Sequence, residues 1–158
     1  MASELITSWG EHGDSLTRLL LLASKSVCVF DQDLEKLRLE DSCNAELLQG
    51  FLAADNHHQL QIALRNAAPM QRNCPRLMRL LAIHSANMSV IACPDHLSSL
   101  NDSLLIVDDR HALIRFHQDH VRGKIIVDNP EECASYVNRF ADIRREGGES
   151  ISATTLGL

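Results

Sequence analysis

Two histidines, His117 and His120, lie in the segment FHQDH with Asp119 between them. A neutral imidazole can bind a metal or attack an electrophile, and a neighbouring carboxylate can tune its basicity. Metal sites usually take three or four protein ligands, and this segment supplies only a weak pattern of that kind. We therefore interpret the segment as a solvated polar loop. The alternatives are a metal site and a replacement nucleophile at His117.

Basic side chains form two local groups along the chain, and each group could receive a phosphate, a nucleic-acid backbone or an acidic partner. The first group begins before a helical pattern and continues into it, so the solvated face of an amphipathic helix is the alternative. The second group surrounds a strand–turn–strand pattern, where it predicts an anion-binding surface. The members are Arg72, Arg76 and Arg79 in the first group, with Arg65 nearby in sequence, and Arg110, Arg115, Arg122 and Lys124 in the second.

Composition limits the classes of function. The chain has 158 residues and a net charge of −6, which disfavours nucleic acid as a partner. Five cysteines, an odd number with no C-x-x-C pair, favour buried thiols over a disulfide framework or a zinc ribbon. No apolar run approaches the roughly 18 residues of a membrane span, and the acidic N-terminus lacks the features of a secretory signal. These features predict a cytoplasmic protein without a membrane segment or a cofactor.

The elements that must position these residues alternate between helical and strand periodicity. This order predicts an α/β fold, a mixed, mostly parallel sheet with helices on both faces, because helices that separate strands imply parallel crossovers. One domain is expected over 1–146, followed by a flexible tail over 147–158 that begins with two glycines. The predicted helices are 14–24, 44–55, 74–86 and 130–146, and the predicted strands are 26–31, 58–66, 88–94, 103–109, 111–116 and 123–129.

The strand–turn–strand segment NDSLLIVDDRHALIRF, residues 101–116, carries Asn101, Ser103 and Asp108. Their spacing is that of His-x-Lys-x4-Asp, and the segment resembles the motif hairpin of the phospholipase D-like superfamily. The closing stretch GKIIVDNPEECASYVNRFADI is similar to that superfamily's final strand and helix. The chain therefore resembles one phospholipase D-like half-domain.

The resemblance implies a degenerate site. In active members the His attacks phosphorus, the Lys holds the phosphate oxygens and the Asp tunes the imidazole. Position by position, these become Asn101, Ser103 and Asp108, and only the last one matches. An amide cannot serve as that nucleophile, and a hydroxyl cannot supply the missing charge. The superfamily's following Gly-Ser-x-Asn turn is also absent, because this chain has RFHQD there.

The resemblance favours a catalytically inactive domain that acts as a binding or interaction module for a protein or an anionic ligand. The alternatives are a phosphodiesterase that uses His117 with Asp108, and a nucleic-acid-binding protein that uses the arginine groups. Two motifs meet in active members, so the resemblance also implies a homodimer. Within the superfamily, SVCVFDQDL and CPRLMRLLAIHS resemble an uncharacterised bacterial group whose members occur alone or attached to acetyltransferase-like domains.

Overall fold

A computed structural model describes residues 3–153 of the chain. Eight strands form one sheet, and five α-helices accompany it among these residues. The strands are β1 (Glu4–Ile6), β2 (Ser26–Asp31), β3 (Gln59–Leu64), β4 (Met88–Ala92), β5 (Ser103–Val107), β6 (His111–Arg115), β7 (Gly123–Ile126) and β8 (Glu149–Ser150), and the helices are α1 (Trp9–Leu22), α2 (Ser42–Ala54), α3 (Ala68–Asn73), α4 (Pro75–Ile83) and α5 (Pro130–Arg145).

The sheet is mixed, with the strand order β1-β7-β6-β5-β2-β3-β4-β8. The mixed α/β class is confirmed, but the prediction that the sheet is mostly parallel is wrong. Only β2 with β3 and β3 with β4 pair in parallel, and the other five pairings in the described sheet are antiparallel. Helical crossovers join β2, β3 and β4 alone, whereas β5, β6 and β7 follow one another without intervening helices and therefore reverse direction.

Helices cover both faces of the sheet, as predicted. On one face, Leu16 and Leu19 of α1 pack with Leu48 of α2 and Leu77 of α4 in a large apolar cluster. On the other face, α5 contributes its own stripe to a smaller cluster. That stripe contains Cys133, Phe140 and Ile143.

The first helix begins earlier than predicted. The hydroxyl of Ser8 accepts a hydrogen bond from the N–H of Glu11, and the Glu11 carboxylate accepts one from the N–H of Ser8. This reciprocal capping box satisfies free N–H groups at a helix start five residues before the expected one, so Asp14 and Ser15 lie inside the helix. The single helix expected over 74–86 is also preceded by α3, and Pro75 begins α4.

Part of the predicted tail belongs to the sheet. Glu149 and Ser150 pair with Ala92 and Ile91, and Ile151 is buried in the larger cluster. Gly148 has a φ of 135°, and a Cβ there would collide with the carbonyl oxygen of Ala92. Glycine is thus required for the close approach of this strand. The last residues of the predicted tail, 154–158, lie outside the described residues.

Candidate functional site

The candidate site lies where three neighbouring strands of the sheet begin or end, a region that we call the motif end. The motif end comprises the carboxyl end of β2, the start of β5 and the end of β6. Ser103 opens β5 and pairs across the ladder with Arg115, which closes β6. Ligands of open α/β sheets commonly bind at the carboxyl ends of parallel strands, and Asp31 ends β2 there.

An internal ion pair fills the centre of the motif end. The Arg115 guanidinium donates to the Asp31 carboxylate at 3.3 Å, and each side chain is only 1% exposed. The other carboxylate oxygen of Asp31 accepts the N–H of Leu34 at 2.8 Å. Arg115 was predicted to be part of an anion-binding surface, but its charge is instead buried and compensated within the protein.

His12 of α1 lies against this ion pair and is 2% exposed. Burial lowers the pKa of His12 to about 4, helped by the nearby positive charge of Arg115 and opposed by Asp31, so the ring is neutral at pH 7. The Arg115 guanidinium lies 3.5 Å from Nε2 of His12. Because a guanidinium only donates, Nε2 accepts, and the neutral ring carries its proton on Nδ1.

Sequence reasoning missed His12, although a signal was present. Ser8-x-x-Glu11 is the pattern of a capping box, and a helix that begins there places His12 at i−4 from Leu16. His12, Leu16, Leu19 and Leu20 then form one buried stripe. The helix start was placed five residues late, so the histidine fell outside the predicted helix.

A cleft of about 580 Å³ opens beside His12, between α1 and the segment 33–44. On the α1 side the cleft is lined by Gly10, Gly13, Asp14 and Thr17, which share one helix face at i, i+3, i+4 and i+7. A Cβ at Gly13 would meet nothing within 4 Å, which shows that this wall is open. The opposite side carries Glu35, Lys36, Arg38, Asp41, Cys43 and Asn44, and Trp9 and Asp119 complete the lining.

The three motif positions do not share one environment. Asn101 is exposed just before β5, and Ser103 is 2% exposed beside the ion pair. Asp108 lies at the other end of β5, in the turn that joins β5 to β6. A five-residue strand spans roughly 16 Å, so Asp108 is far from the position that the nucleophile would occupy.

Asp108 binds the backbone that enters β2. Its carboxylate accepts hydrogen bonds from the N–H groups of Ser24, Lys25 and Ser26 and from the Ser24 hydroxyl, at 2.7–3.2 Å. Partial burial raises the pKa of Asp108, but these hydrogen bonds outweigh it and leave the pKa below its ordinary value. Asp108 and Asp109 also adopt left-handed φ angles of 56° and 57°, which Asp tolerates in tight turns.

The structure does not bring His117 and Asp108 together as a catalytic pair. His117 follows β6 at the motif end, whereas Asp108 precedes β6 at the opposite end. The rings of His117 and His120 approach to 4.9 Å, and Nδ1 of His117 accepts the N–H of Asp119 at 3.1 Å. Within residues 3–153, no group of three or more His, Cys, Asp or Glu side chains could hold a metal ion.

The basic group around the hairpin is dispersed. Arg110 pairs with Asp128 at 2.7 Å at the turn, far from Arg115. Lys124 pairs with Glu132 at 3.1 Å on the face that α5 covers. Arg122 is exposed. Because Arg110 lies at the turn, Arg115 is buried and Lys124 faces α5, the four basic residues do not form one surface.

The other basic group stays together on α3 and α4. Arg72, Arg76 and Arg79 are all exposed there. Arg76 lies 3.7 Å from the Glu40 carboxylate, which also accepts the first N–H groups of α4. Arg65 is separate from this group, because it is half-buried over the Phe30 ring at 4.7 Å.

The chain has a phospholipase D-like fold. Nuc from Salmonella typhimurium, described as a phospholipase D family member, superposes with a TM-score of 0.60 at 12% identity over 96% of this chain and 99% of its own. NucT from Helicobacter pylori gives 0.56 at 11% identity over 92% and 96%.

Two longer proteins contain a similar fold. TrmBL2, an archaeal chromatin protein described as showing a novel mode of DNA binding, has a TM-score of 0.68 at 12% identity over 96% of this chain. Phosphatidylserine synthase from Haemophilus influenzae has a TM-score of 0.59 at 14% identity over 99% of this chain. The chain spans 54% of the first protein and 40% of the second. Identities this low establish the fold alone.

A family model identifies the family to which the chain belongs. The family described as "Domain of unknown function (DUF7931)" matches residues 10–151, and the chain belongs to it. No curated protein matches the chain. Among residues 3–153, none of the helices has the length and apolar content needed to cross a bilayer.

Proposed function

We propose that this chain is a non-hydrolytic phospholipase D-like domain that binds a ligand or partner at its motif end. The observation that carries the proposal is the buried Arg115–Asp31 ion pair beside Ser103. Where the superfamily motif would supply a phosphate-binding cation, the chain has a buried hydroxyl, and the neighbouring guanidinium is already paired.

The available groups do not match the chemistry of phosphodiester cleavage. That reaction needs a nucleophile and preorganised positive charge where negative charge develops in the transition state. The Asn101 amide is not a nucleophile, and Ser103 is neutral and enclosed. Opening the ion pair to receive a phosphate would leave the Asp31 carboxylate buried without its partner, which costs about 3–5 kcal/mol.

The cleft beside the motif end supports a binding role. Its volume of about 580 Å³ lies within the range of small-molecule sites. Gly13, which lines it from the interior of α1, costs about 1 kcal/mol of helix stability relative to alanine. A helix that served only to cover the sheet would gain stability from a larger side chain at this position.

Hydrolysis of bis(p-nitrophenyl) phosphate tests the proposal, with and without a divalent cation. We expect no turnover above buffer for the wild type, and the same result for His117→Ala and its matched control His120→Ala. Turnover that disappears in folded His117→Ala but persists in His120→Ala would contradict the proposal. It would instead favour the phosphodiesterase alternative with His117 as the nucleophile.

The class of partner is a separate part of the proposal. A homodimer, an acidic protein and nucleic acid each remain predictions. Sedimentation velocity tests the dimer. For nucleic acid, binding that weakens steeply with salt and is lost in Arg72→Ala/Arg79→Ala would support the exposed arginines of α3 and α4. No binding at low salt would remove that alternative.

A further inference from the structure

We infer that the cleft between α1 and the segment 33–44 binds a small organic cation, an ammonium or guanidinium compound that also carries a carbonyl oxygen. This inference rests on the proposed function, because it names the ligand class of the same motif end. Three observations carry it: the charge of the lining, the exposed ring of Trp9, and the unused donor of His12.

Carboxylates outnumber cations in the lining. Arg38 and Asp41 compensate each other through two contacts of 3.0 and 3.1 Å. The remaining charged groups of the lining are three carboxylates and one ammonium, so the cleft has an excess of negative charge. These groups are Asp14, Glu35, Asp119 and Lys36.

The Trp9 ring already attracts cations within the protein. Its side chain is 44% exposed at the cleft, and the Arg115 guanidinium lies 5.6 Å from the ring centroid. The Lys36 ammonium lies 5.8 Å from the same centroid, at the end of an exposed, flexible side chain. Cations are drawn to the indole face by its quadrupole, and a ligand cation can displace Lys36 from it.

His12 supplies a donor without an acceptor. Its Nε2 accepts from Arg115, so the neutral ring carries hydrogen on Nδ1. That Nδ1–H has no hydrogen-bond acceptor within the described part of the chain, on a side chain that is 98% buried and lines the cleft. Nδ1 is not among the fully enclosed side-chain atoms that lack a partner, so it stays within reach of solvent, and a ligand carbonyl oxygen can replace water as its acceptor.

Ligand binding in the cleft can be measured by tryptophan fluorescence. Trp9 is the only tryptophan in the 158-residue sequence, so indole fluorescence reports on this cleft alone. The probe is L-argininamide, which carries cationic groups and a carbonyl oxygen, and inorganic phosphate is the matched anion. We expect a saturable fluorescence change with L-argininamide and none with phosphate at equal ionic strength.

Charge substitutions distinguish a cation from an anion by the sign of their effects. Asp14→Asn should weaken L-argininamide binding about threefold, and Lys36→Met should tighten it about twofold, as expected for partly exposed charges. For an anionic ligand both signs reverse. Glu46→Gln removes an exposed carboxylate of α2 outside the cleft lining and should leave the affinity unchanged.

Agmatine resembles L-argininamide but lacks the carbonyl group, and it tests the role of His12. We expect agmatine to bind about threefold more weakly, because the Nδ1–H donor then pairs with water and not with the ligand. No response to either cation overturns the inference, and so does a phosphate response that Asp14→Asn strengthens. Both results leave the proposed function intact unless bis(p-nitrophenyl) phosphate is also hydrolysed, so the two claims can fail separately.

Discussion

The two ends of β5 differ in how well their residues match the superfamily motif. Near its start, Asn101 and Ser103 stand where the resemblance predicts the nucleophile and the phosphate-binding residue, and an amide and a hydroxyl offer neither an imidazole nor a positive charge. At its end, Asp108 matches the motif and binds the backbone of Ser24–Ser26. The position that matches the motif is thus the position with a structural task, and it lies far from the motif end.

The contrast between the two ends distinguishes a residue that stabilises the fold from residues that would perform chemistry. Asp108 fixes the entry into β2 against the hairpin turn, and that contact stabilises the sheet whether or not a phosphodiester is cleaved. At the motif end, the structure has a buried ion pair and a neutral histidine. A match at Asp108 is therefore evidence for the fold and not for the activity.

The largest expected effect comes from breaking the buried ion pair. Arg115→Leu should lower the free energy of unfolding by about 3–5 kcal/mol, because Asp31 stays buried without its partner. Arg110→Leu is the matched control at the turn end, where both partners are about half exposed, and it should cost less than about 1 kcal/mol. Urea unfolding measures both. Equal losses in the two variants would contradict the contrast between the two ends.

A second effect of similar size appears in the pH dependence of stability. The folded pKa of His12 is about 4 and the unfolded value is 6.5, so the unfolded chain binds a proton more readily between these values. Stability should therefore fall as the pH drops from 6.5 to 4, by up to about 3 kcal/mol from this residue. His12→Gln should remove that part of the loss.

The comparison between His12→Gln and the wild type isolates His12. Burial also lowers the pKa of His111, and that residue contributes to the same pH window in both proteins. Urea unfolding at several pH values gives the difference. Parallel pH profiles for the two proteins would exclude a buried neutral His12.

A smaller effect is expected at the turn end. Asp108→Ala should cost about 2 kcal/mol, because three backbone N–H groups lose their acceptor and alanine disfavours a positive φ. Asp109→Asn is the matched control, since Asp109 has nearly the same φ but is exposed, and its effect should stay within about 0.5 kcal/mol. Similar losses in both variants would contradict a specific role for the hydrogen bonds that the Asp108 carboxylate accepts.

The smallest effect has the opposite sign. Gly13→Ala should raise the free energy of unfolding by about 0.5–1 kcal/mol, because alanine favours a helix and its Cβ meets nothing within 4 Å. The same substitution narrows the cleft and should weaken L-argininamide binding. A destabilised Gly13→Ala would indicate that this wall of the cleft is packed and not open.

Local patterns in the sequence predicted six of the eight described strands and four of the five described α-helices, and they missed β1, β8 and α3. Ser26–Asp31 and the α5 stripe were clear because apolar periodicity is a local property of the chain. Strand direction depends on which strands become neighbours, and the pairing of β2 with β5 spans distant parts of the sequence. The mostly parallel sheet was therefore predicted wrongly.

The candidate site was only partly predictable. The motif positions were assigned from their spacing, and the predicted hairpin correctly placed Ser103 on β5, with Asn101 just before that strand and Asp108 in the turn after it. The contacts of Arg115 with Asp31 and His12 were not predicted, because these residues lie 84 and 103 positions away in sequence. A basic residue on a strand gives no local sign of whether it is exposed or compensated in the core.

The central claim is that no residue at the motif end attacks a phosphodiester. Intact-protein mass spectrometry after incubation with bis(p-nitrophenyl) phosphate tests this most directly, with an alkaline quench that preserves a phosphoryl-histidine bond. We expect the unmodified mass in the wild type and in His117→Ala. A covalent adduct that peptide mapping assigns to His117, absent from folded His117→Ala, would contradict it.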